Sequence, residues 1–466
     1  MLGHVIVLLI LALIVSEVDV VQKLTIITSP VSDVEEPPSE IELQDLDDAP
    51  VEEVEPVPNV VVVADAAIDA PDSGAVLNAL DPQPIGPTSD AMTDFMAPGV
   101  VSDSLGMKIG GTGLEGGGLD GRGQAAKRAP RDAVQAVDRA LTWIAIHQMP
   151  DGGWSFDMEA CPSCMGKCSH SGTSKKDDRA GATAMALLPF LGRGFTHREG
   201  PYQKQVEAGI AFLTQRAMKD GGKVYDKSGS LYSQGLAGIA LSECYAMTQD
   251  QRLAAPTQAV LNFIMQAQDP QGGGWRYTPR QPGDTSAVGW QIMALKSGNM
   301  AYLDVNPLTV KKAVEFLESV KGDEYGATYG YTSPGNRLGT SAVGLLCRMY
   351  LGWKKDNPGL QEGAATIAKA GPSKDLYYDY YATQIMHHMQ GEMWTAWDAK
   401  MKKMLIDSQA TKDHEAGSWY DGVDLGHGAN AAGRLYCTSL ATMILEVYYR
   451  HLPIFGTQSV DDEFRE

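Results

Sequence analysis

Hydrophobic and polar positions follow two alternating patterns from residue 132 to residue 445. Over 132–148 the apolar side chains Val134, Val137, Leu141 and Ile144 recur at helical intervals between polar ones. That stripe predicts a helix burying one face. After a turn, residues 181–188 are small and apolar on every side, which predicts a helix covered all round. The pairing repeats: 206–216 precedes 234–241, 256–268 precedes 285–295, and 310–320 precedes 340–347. A shorter unit covers 381–386, and 394–406 precedes 437–445.

The turns repeat as well. Gln148-Met149-Pro150-Asp151-Gly152-Gly153-Trp154 is echoed by Gln268-Asp269-Pro270-Gln271-Gly272-Gly273-Gly274-Trp275. Weaker copies occur at Asp220-Gly221-Gly222, at 326–331 and at Glu415-Ala416-Gly417-Ser418-Trp419. Two helices per period of roughly fifty residues indicate a repeat architecture of about six hairpins. Helix pairs in series usually build an open solenoid. Here the inner helices are apolar on both faces, and closing the array into a ring covers the second face. The expectation is an all-α chain whose residues 130–453 form an α/α toroid with parallel inner helices around a central cavity. Glycines allow the sharp reversal, and each Trp fills a gap between hairpins with its N–H on a carbonyl. Neither Trp154 nor Trp275 reads as catalytic.

Composition divides the 466 residues unequally. Residues 23–129 are rich in Pro, Gly and acid, the composition of a disordered linker, and 454–466 form a polar tail. Residues 1–22 hold an unbroken apolar run from Val5 to Val15. It reads as a membrane anchor or a signal-like segment, and as an anchor it implies a membrane-attached protein with its ring outside the cytoplasm. The net charge of −20 and the lack of a Lys/Arg stripe exclude nucleic acid as a partner.

The Gln-x-x-Asp-Gly-Gly-Trp phrase resembles the QW motif of squalene and oxidosqualene cyclases, and the two-helix repeat resembles the β subunits of protein prenyltransferases. The resemblance covers about 130–453 and implies the toroid fold. Cyclase activity would need a buried Asp-x-Asp-Asp cluster to protonate an alkene. The body offers only Asp284, at the head of an inner segment, as a weak catalytic candidate; Asp45-Leu46-Asp47-Asp48 lies in the acidic tail. Transferase activity would need a zinc held by Asp, Cys and His. Asp379, Cys437, His387, His388 and His427 do not reproduce that spacing.

The densest local chemistry is the loop Cys161-Pro162-Ser163-Cys164-Met165-Gly166-Lys167-Cys168-Ser169-His170. Cys161, Cys164, Cys168 and His170 are four donors for a structural zinc; a disulfide and unpaired thiols are the competing readings. Around the mouth where inner helices begin, Asp284, Trp290, Arg337, Asp379, Tyr381, Arg434 and Tyr436 are expected to line a cavity, with Arg434 and Asp379 able to pair. Aromatic walls suit isoprenoid chains; filling of the ring centre is the plain alternative. These features together suggest a membrane-tethered toroid that binds a lipid-like ligand or a protein partner without the usual catalytic groups. A divergent isoprenoid-processing enzyme and a polysaccharide hydrolase are the alternatives.

Overall fold

The structure is a computed structural model that describes residues 122, 126–170, 173–420 and 426–451. Its helices come as pairs: α1 (Arg131–Ile146) with α2 (Arg179–Gly192), α3 (Gln203–Lys219) with α4 (Leu231–Thr248), and α5 (Gln251–Gln266) with α6 (Thr285–Met300). Next come α7 (Pro307–Ser319) with α8 (Leu338–Tyr350), α9 (Pro358–Ala370) with α10 (Leu376–Met389), and α11 (Gly391–Ser408) with α12 (Ala429–Leu445). A single turn, α13 (Val447–Arg450), ends the described chain. Among the described residues β structure is limited to one isolated bridge, Lys321 to Tyr329.

Even-numbered helices form the inner wall and odd-numbered helices the outer one. Helix α2 buries every residue from Ala180 to Gly192, whereas α1 buries a single stripe that includes Val137, Leu141 and Ile144. The inner helices pack in the order α2, α4, α6, α8, α10, α12, and α12 packs back onto α2. Outside them α11 meets α1. The array is therefore a closed α/α toroid, and closure covers the apolar surface that an arc would leave wet.

One set of hydrogen bonds ties each of three turns to the next outer helix. The Gln148 amide nitrogen donates to Gly152 O at 2.7 Å and to Gln205 O of α3 at 2.8 Å. Gln268 does the same to Gly273 O and to Thr309 O of α7, both at 2.8 Å. Gln409 donates to Gly417 O at 2.9 Å and to Ala136 O of α1 at 2.8 Å. The last hairpin thus grips the first with the bond that interior hairpins use on their successors. Trp154, Trp275 and Trp419 each donate their indole N–H, at 2.8 Å, to a carbonyl of the outer helix just before them. Gly417 shows why glycine is required in the seam turn: its φ is +94°, and a Cβ there would stand 2.4 Å from Arg139 O.

The end of the ring where inner helices finish is closed by charge. Glu243 accepts from Arg122 at 3.1 Å and from Arg450 at 2.9 Å, all three buried. The two guanidinium groups also cap the Leu191 and Leu188 carbonyls of α2, at 2.6 and 2.7 Å. Cations at a helix C-terminus meet its unpaired carbonyls.

Among the described residues no helix is long and apolar enough to cross a membrane. This corrects the expectation of a membrane-anchored protein; the apolar segment 1–22 behind that expectation lies outside the described residues, as do most of the linker and the tail 454–466.

Candidate functional site

All inner helices begin at one end of the ring, and their heads form its mouth. Exposed N–H groups at a helix start favour a carboxylate cap, and three of the six inner helices have one. Asp178 accepts from Gly181 N at 2.9 Å, Asp284 from Ala287 N at 2.7 Å, and Asp375 from Tyr377 N at 3.1 Å. Neighbouring heads are laced together. Ser233 donates to Asp178 Oδ2 at 2.6 Å, and the Tyr232 hydroxyl reaches Asp284 Oδ1 at 3.4 Å. Further round, the Tyr377 and Ser286 hydroxyls meet at 2.5 Å, and His427 Nδ1 lies 2.5 Å from Asp375 Oδ2.

Asp284 is fully buried, and burial raises its pKa above the ordinary carboxylate value. Arg276 Nε stands 3.7 Å from its Oδ2. The Arg276 guanidinium also sits over the Tyr277 and Tyr331 rings, 5.4 and 5.9 Å from their centroids. Tyr277 stacks on Tyr232, bonds the Tyr331 hydroxyl at 3.0 Å, and is 42% exposed. Arg337 is exposed at the head of α8, and Tyr436 donates to His427 O at 2.9 Å. The mouth therefore carries an exposed tyrosine–arginine shelf above a buried carboxylate.

Deeper in, Trp290 stacks on Tyr380 with centroids 5.5 Å apart and meets Tyr381 edge-on at 5.5 Å. Tyr377 contacts Tyr381 at 5.1 Å. These four rings are buried, with Trp290 at 2% and Tyr381 at 0% exposure. They pack against one another and fill this part of the ring.

Two expected mouth residues behave differently. Asp379 is buried in the first turn of α10, where Oδ1 accepts from Ser373 N at 2.9 Å and Oδ2 has no hydrogen-bond partner. Burial, assisted by nearby Asp375, raises its pKa to about 8. Arg434 does not pair with it. The Arg434 guanidinium instead binds Glu415 at 2.8 Å, Ser418 Oγ at 3.1 Å and Cys168 O at 3.3 Å. It belongs to the seam between the first and last hairpins rather than to the mouth. A break in α12 at Gly433, where φ is +67°, sets the chain just before Arg434.

At that seam the cysteine loop meets the α11–α12 connection. Among the described residues, His147, Cys164, Cys168 and His414 bring their ligand atoms within 4.8 Å of one another. His147 ends α1, Cys164 and Cys168 lie in the α1–α2 loop, and His414 lies in a single 3-10 turn, Asp413–Glu415. Cys161 and His170 stand apart from this group. Cys161 Sγ rests 3.6 Å from His147 O and 3.2 Å from Ser163 Oγ. His170 Nε2 accepts from Arg434 N at 3.1 Å, and its ring stacks on Tyr420. Of the set Cys161, Cys164, Cys168 and His170 expected from spacing, the structure brings Cys164 and Cys168 together with His147 and His414, and it leaves Cys161 and His170 outside that group. No local sequence signal marks His147 or His414, and the fold alone brings His414 to the loop. The thiols of Cys161, Cys164 and Cys168 are not joined in a disulfide. The transferase-like group also fails to converge: His387 Nε2 pairs with His451 O at 2.7 Å, while His427 pairs with Asp375.

No protein family matches the sequence, and no curated protein does either. Solved structures do resemble it. The type II terpene cyclase MstE from Scytonema is 12% identical at a TM-score of 0.45, with 68% of this chain and 97% of that chain covered. The α-1,6-mannanase of Salegentibacter sp. is 9% identical at 0.47, covering 67% and 98%. An α-amylase from Clostridium perfringens is 10% identical at 0.47, covering 67% and 97%. The α/α toroid itself is read from the chain's own helix packing.

Proposed function

We propose that this toroid is a binding domain whose working surface is the mouth, and that its ligand is a polyhydroxylated chain such as a polysaccharide. The observation that carries the reading is the mutual burial of Trp290, Tyr377, Tyr380 and Tyr381. An isoprenoid drawn into the ring needs aromatic walls around open space, and here these rings occupy one another's faces. That arrangement favours a ligand held on the rim over a lipid-like one drawn inside. On the rim, the exposed Tyr277 ring presents a flat apolar face suited to a sugar ring. Arg276, Arg337 and the tyrosine hydroxyls supply hydrogen bonds to hydroxyl groups.

Calorimetric titration with soluble polysaccharides tests this. Saturable binding that falls at least about tenfold in Tyr277→Ala is expected, a loss of about 1.4 kcal/mol. Turnover of squalene or a prenyl diphosphate by the purified chain would sink the reading. A hydrolase on the same surface is the second reading, favoured by Asp284. A buried carboxyl with a raised pKa is suited to general-acid work at a glycosidic oxygen. Release of reducing sugar that disappears in Asp284→Asn would establish it over simple binding.

A further inference from the structure

We propose that His147, Cys164, Cys168 and His414 bind a structural zinc ion that clasps the first hairpin of the ring to the last. The inference rests on the seam alone and is independent of what the mouth binds.

The donor set is two thiols and two imidazoles, the tetrahedral combination that suits zinc among the common metals. Ligand atoms about 2.0–2.3 Å from one zinc ion lie about 3.3–3.8 Å from each other. Cys168 Sγ and His414 Nδ1 are already 3.3 Å apart, and no pair in the group exceeds 4.8 Å. A contraction of about 1.5 Å at most completes the tetrahedron.

His147 supplies the second, separate observation. Its Nδ1 lies 2.6 Å from Trp143 O, which makes Nδ1 the protonated nitrogen. Nε2 is thereby an acceptor, and this buried atom has no hydrogen-bond partner. An orphaned buried nitrogen costs free energy, and a cation at the centre of the group removes that cost. A carbonyl holding the far nitrogen of a ligating histidine is the usual support for such a ligand. Cys164 Sγ accepts from Cys168 N at 3.3 Å, which fixes the sulfur at the centre of the loop. The loop reaches this geometry through two successive left-handed residues, Met165 at φ +49° and Gly166 at φ +75°. Among the described residues nothing else at the seam satisfies His147 Nε2, and a disulfide between Cys164 and Cys168 would leave both imidazoles unused.

The position gives the ion its role. Three ligands come from the first hairpin and its loop, and His414 comes from the connection between α11 and α12. Beside them, Arg434 bridges Cys168 O and Glu415, and Gln409 holds α1. Every interior hairpin is held to its neighbour by continuous chain, whereas the seam is not. A zinc there acts as a staple across the one non-covalent junction of the ring.

The test uses the full chain, expressed in zinc-containing medium and purified without chelator. Elemental analysis should find about one zinc per chain, with absorption spectroscopy showing two sulfur ligands at about 2.3 Å and two nitrogen ligands at about 2.0–2.1 Å. Cys164→Ser and His414→Ala should each lower zinc content at least about tenfold, while Cys161→Ser and His170→Ala keep it. If His414→Ala does not fold, His414→Cys restores a soft donor and should retain zinc. Three results would overturn the proposal: folded protein free of zinc, zinc lost in Cys161→Ser and His170→Ala but kept in His414→Ala, or native protein with Cys164 and Cys168 joined by a disulfide.

Discussion

The mouth and the seam both gather residues that chemistry commonly uses, yet they differ in how those residues are satisfied. At the mouth, Asp178, Asp284 and Asp375 each cap an inner helix, and hydroxyls from a neighbouring head reach two of them. Their presence is explained by helix termini before any ligand is considered. At the seam, donors from distant parts of the chain converge, and one of them, His147 Nε2, is left without a partner. Residue type alone ranks the mouth first, because aspartates and tyrosines line it. The mouth also holds buried oxygens without a hydrogen-bond partner, Asp284 Oδ2 and Asp379 Oδ2, but among the described residues the seam is where potential ligand atoms converge within 4.8 Å of one another.

The largest expected effect tests whether the seam is as tightly closed as the rest of the ring. Trp419 and Trp154 are both buried and both donate to an outer-helix carbonyl at 2.8 Å. Replacing either by Ala should cost about 3–5 kcal/mol. Urea denaturation of the two variants makes the comparison. A loss in Trp419→Ala less than half of that in Trp154→Ala would mean that the ring opens at the seam in solution.

The next effect is electrostatic. Asp379 holds its proton up to about pH 8 in the fold because its carboxyl is buried, whereas an unfolded aspartate ionises near about 3.9. The folded chain therefore binds more protons between these limits, so the contribution of Asp379 is complete below about pH 4 and is lost as pH rises through about 8. Each pH unit crossed between these limits costs about 1.4 kcal/mol, and the whole loss is on the order of a few kcal/mol. Asp379→Asn keeps an oxygen for Ser373 N and removes the ionisation, so it should unfold with a flatter pH dependence than the parent. Denaturation midpoints at pH 5, 7 and 9 check this. Parallel curves for the two proteins would show that Asp379 ionises normally.

A smaller effect separates capping from catalysis at the mouth. Asp284→Ala removes the acceptor for Ala287 N and should cost about 0.5–2 kcal/mol, like other lost N-caps. Asp178→Ala should cost a similar amount, since that cap has the same geometry. Asp284→Asn should stay close to the parent, because asparagine caps nearly as well. Thermal melts of these three variants and of Asp178→Asn test the series. A much larger cost for Asp284→Asn than for Asp178→Asn would give the Asp284 charge a role beyond its helix.

The ring is legible in the sequence because its cause is periodic. Inner segments such as 181–188 lack a polar face, and that absence alone requires cover on both sides. Helix α9 leaves no such trace. Its stretch Pro358–Ala370 is mostly Ala, Gly and polar residues with only two large apolar side chains, so its buried side, Leu360, Gly363, Ala364 and Ile367, shows little contrast. The seam cluster is half legible. Cys164 and Cys168 stand close in sequence and His147 ends the helix before their loop, but His414 reaches them only because α12 returns to α2. Sequence misplaces Arg434 for the same reason: its partners Glu415 and Cys168 are neighbours only in a closed ring.

The smallest stability effect bears most directly on function. Tyr277 is 42% exposed, and its hydroxyl bonds Tyr331 in a solvent-facing contact. Exposed substitutions of this kind usually change stability by no more than about 0.5 kcal/mol, so Tyr277→Ala should fold like the parent. If the mouth is a binding surface, the same variant should lose most of its affinity for a polysaccharide chain, because the flat ring and its Arg276 neighbour go together. Binding and stability then separate at the mouth, whereas at the seam a loss of zinc and a loss of stability should occur in the same variants. Measuring melting temperature and ligand affinity on Tyr277→Ala and His414→Ala side by side tests that contrast. Unchanged affinity in Tyr277→Ala would remove the tyrosine shelf from function and leave it, like the aspartates below it, as part of how six helix heads are held together.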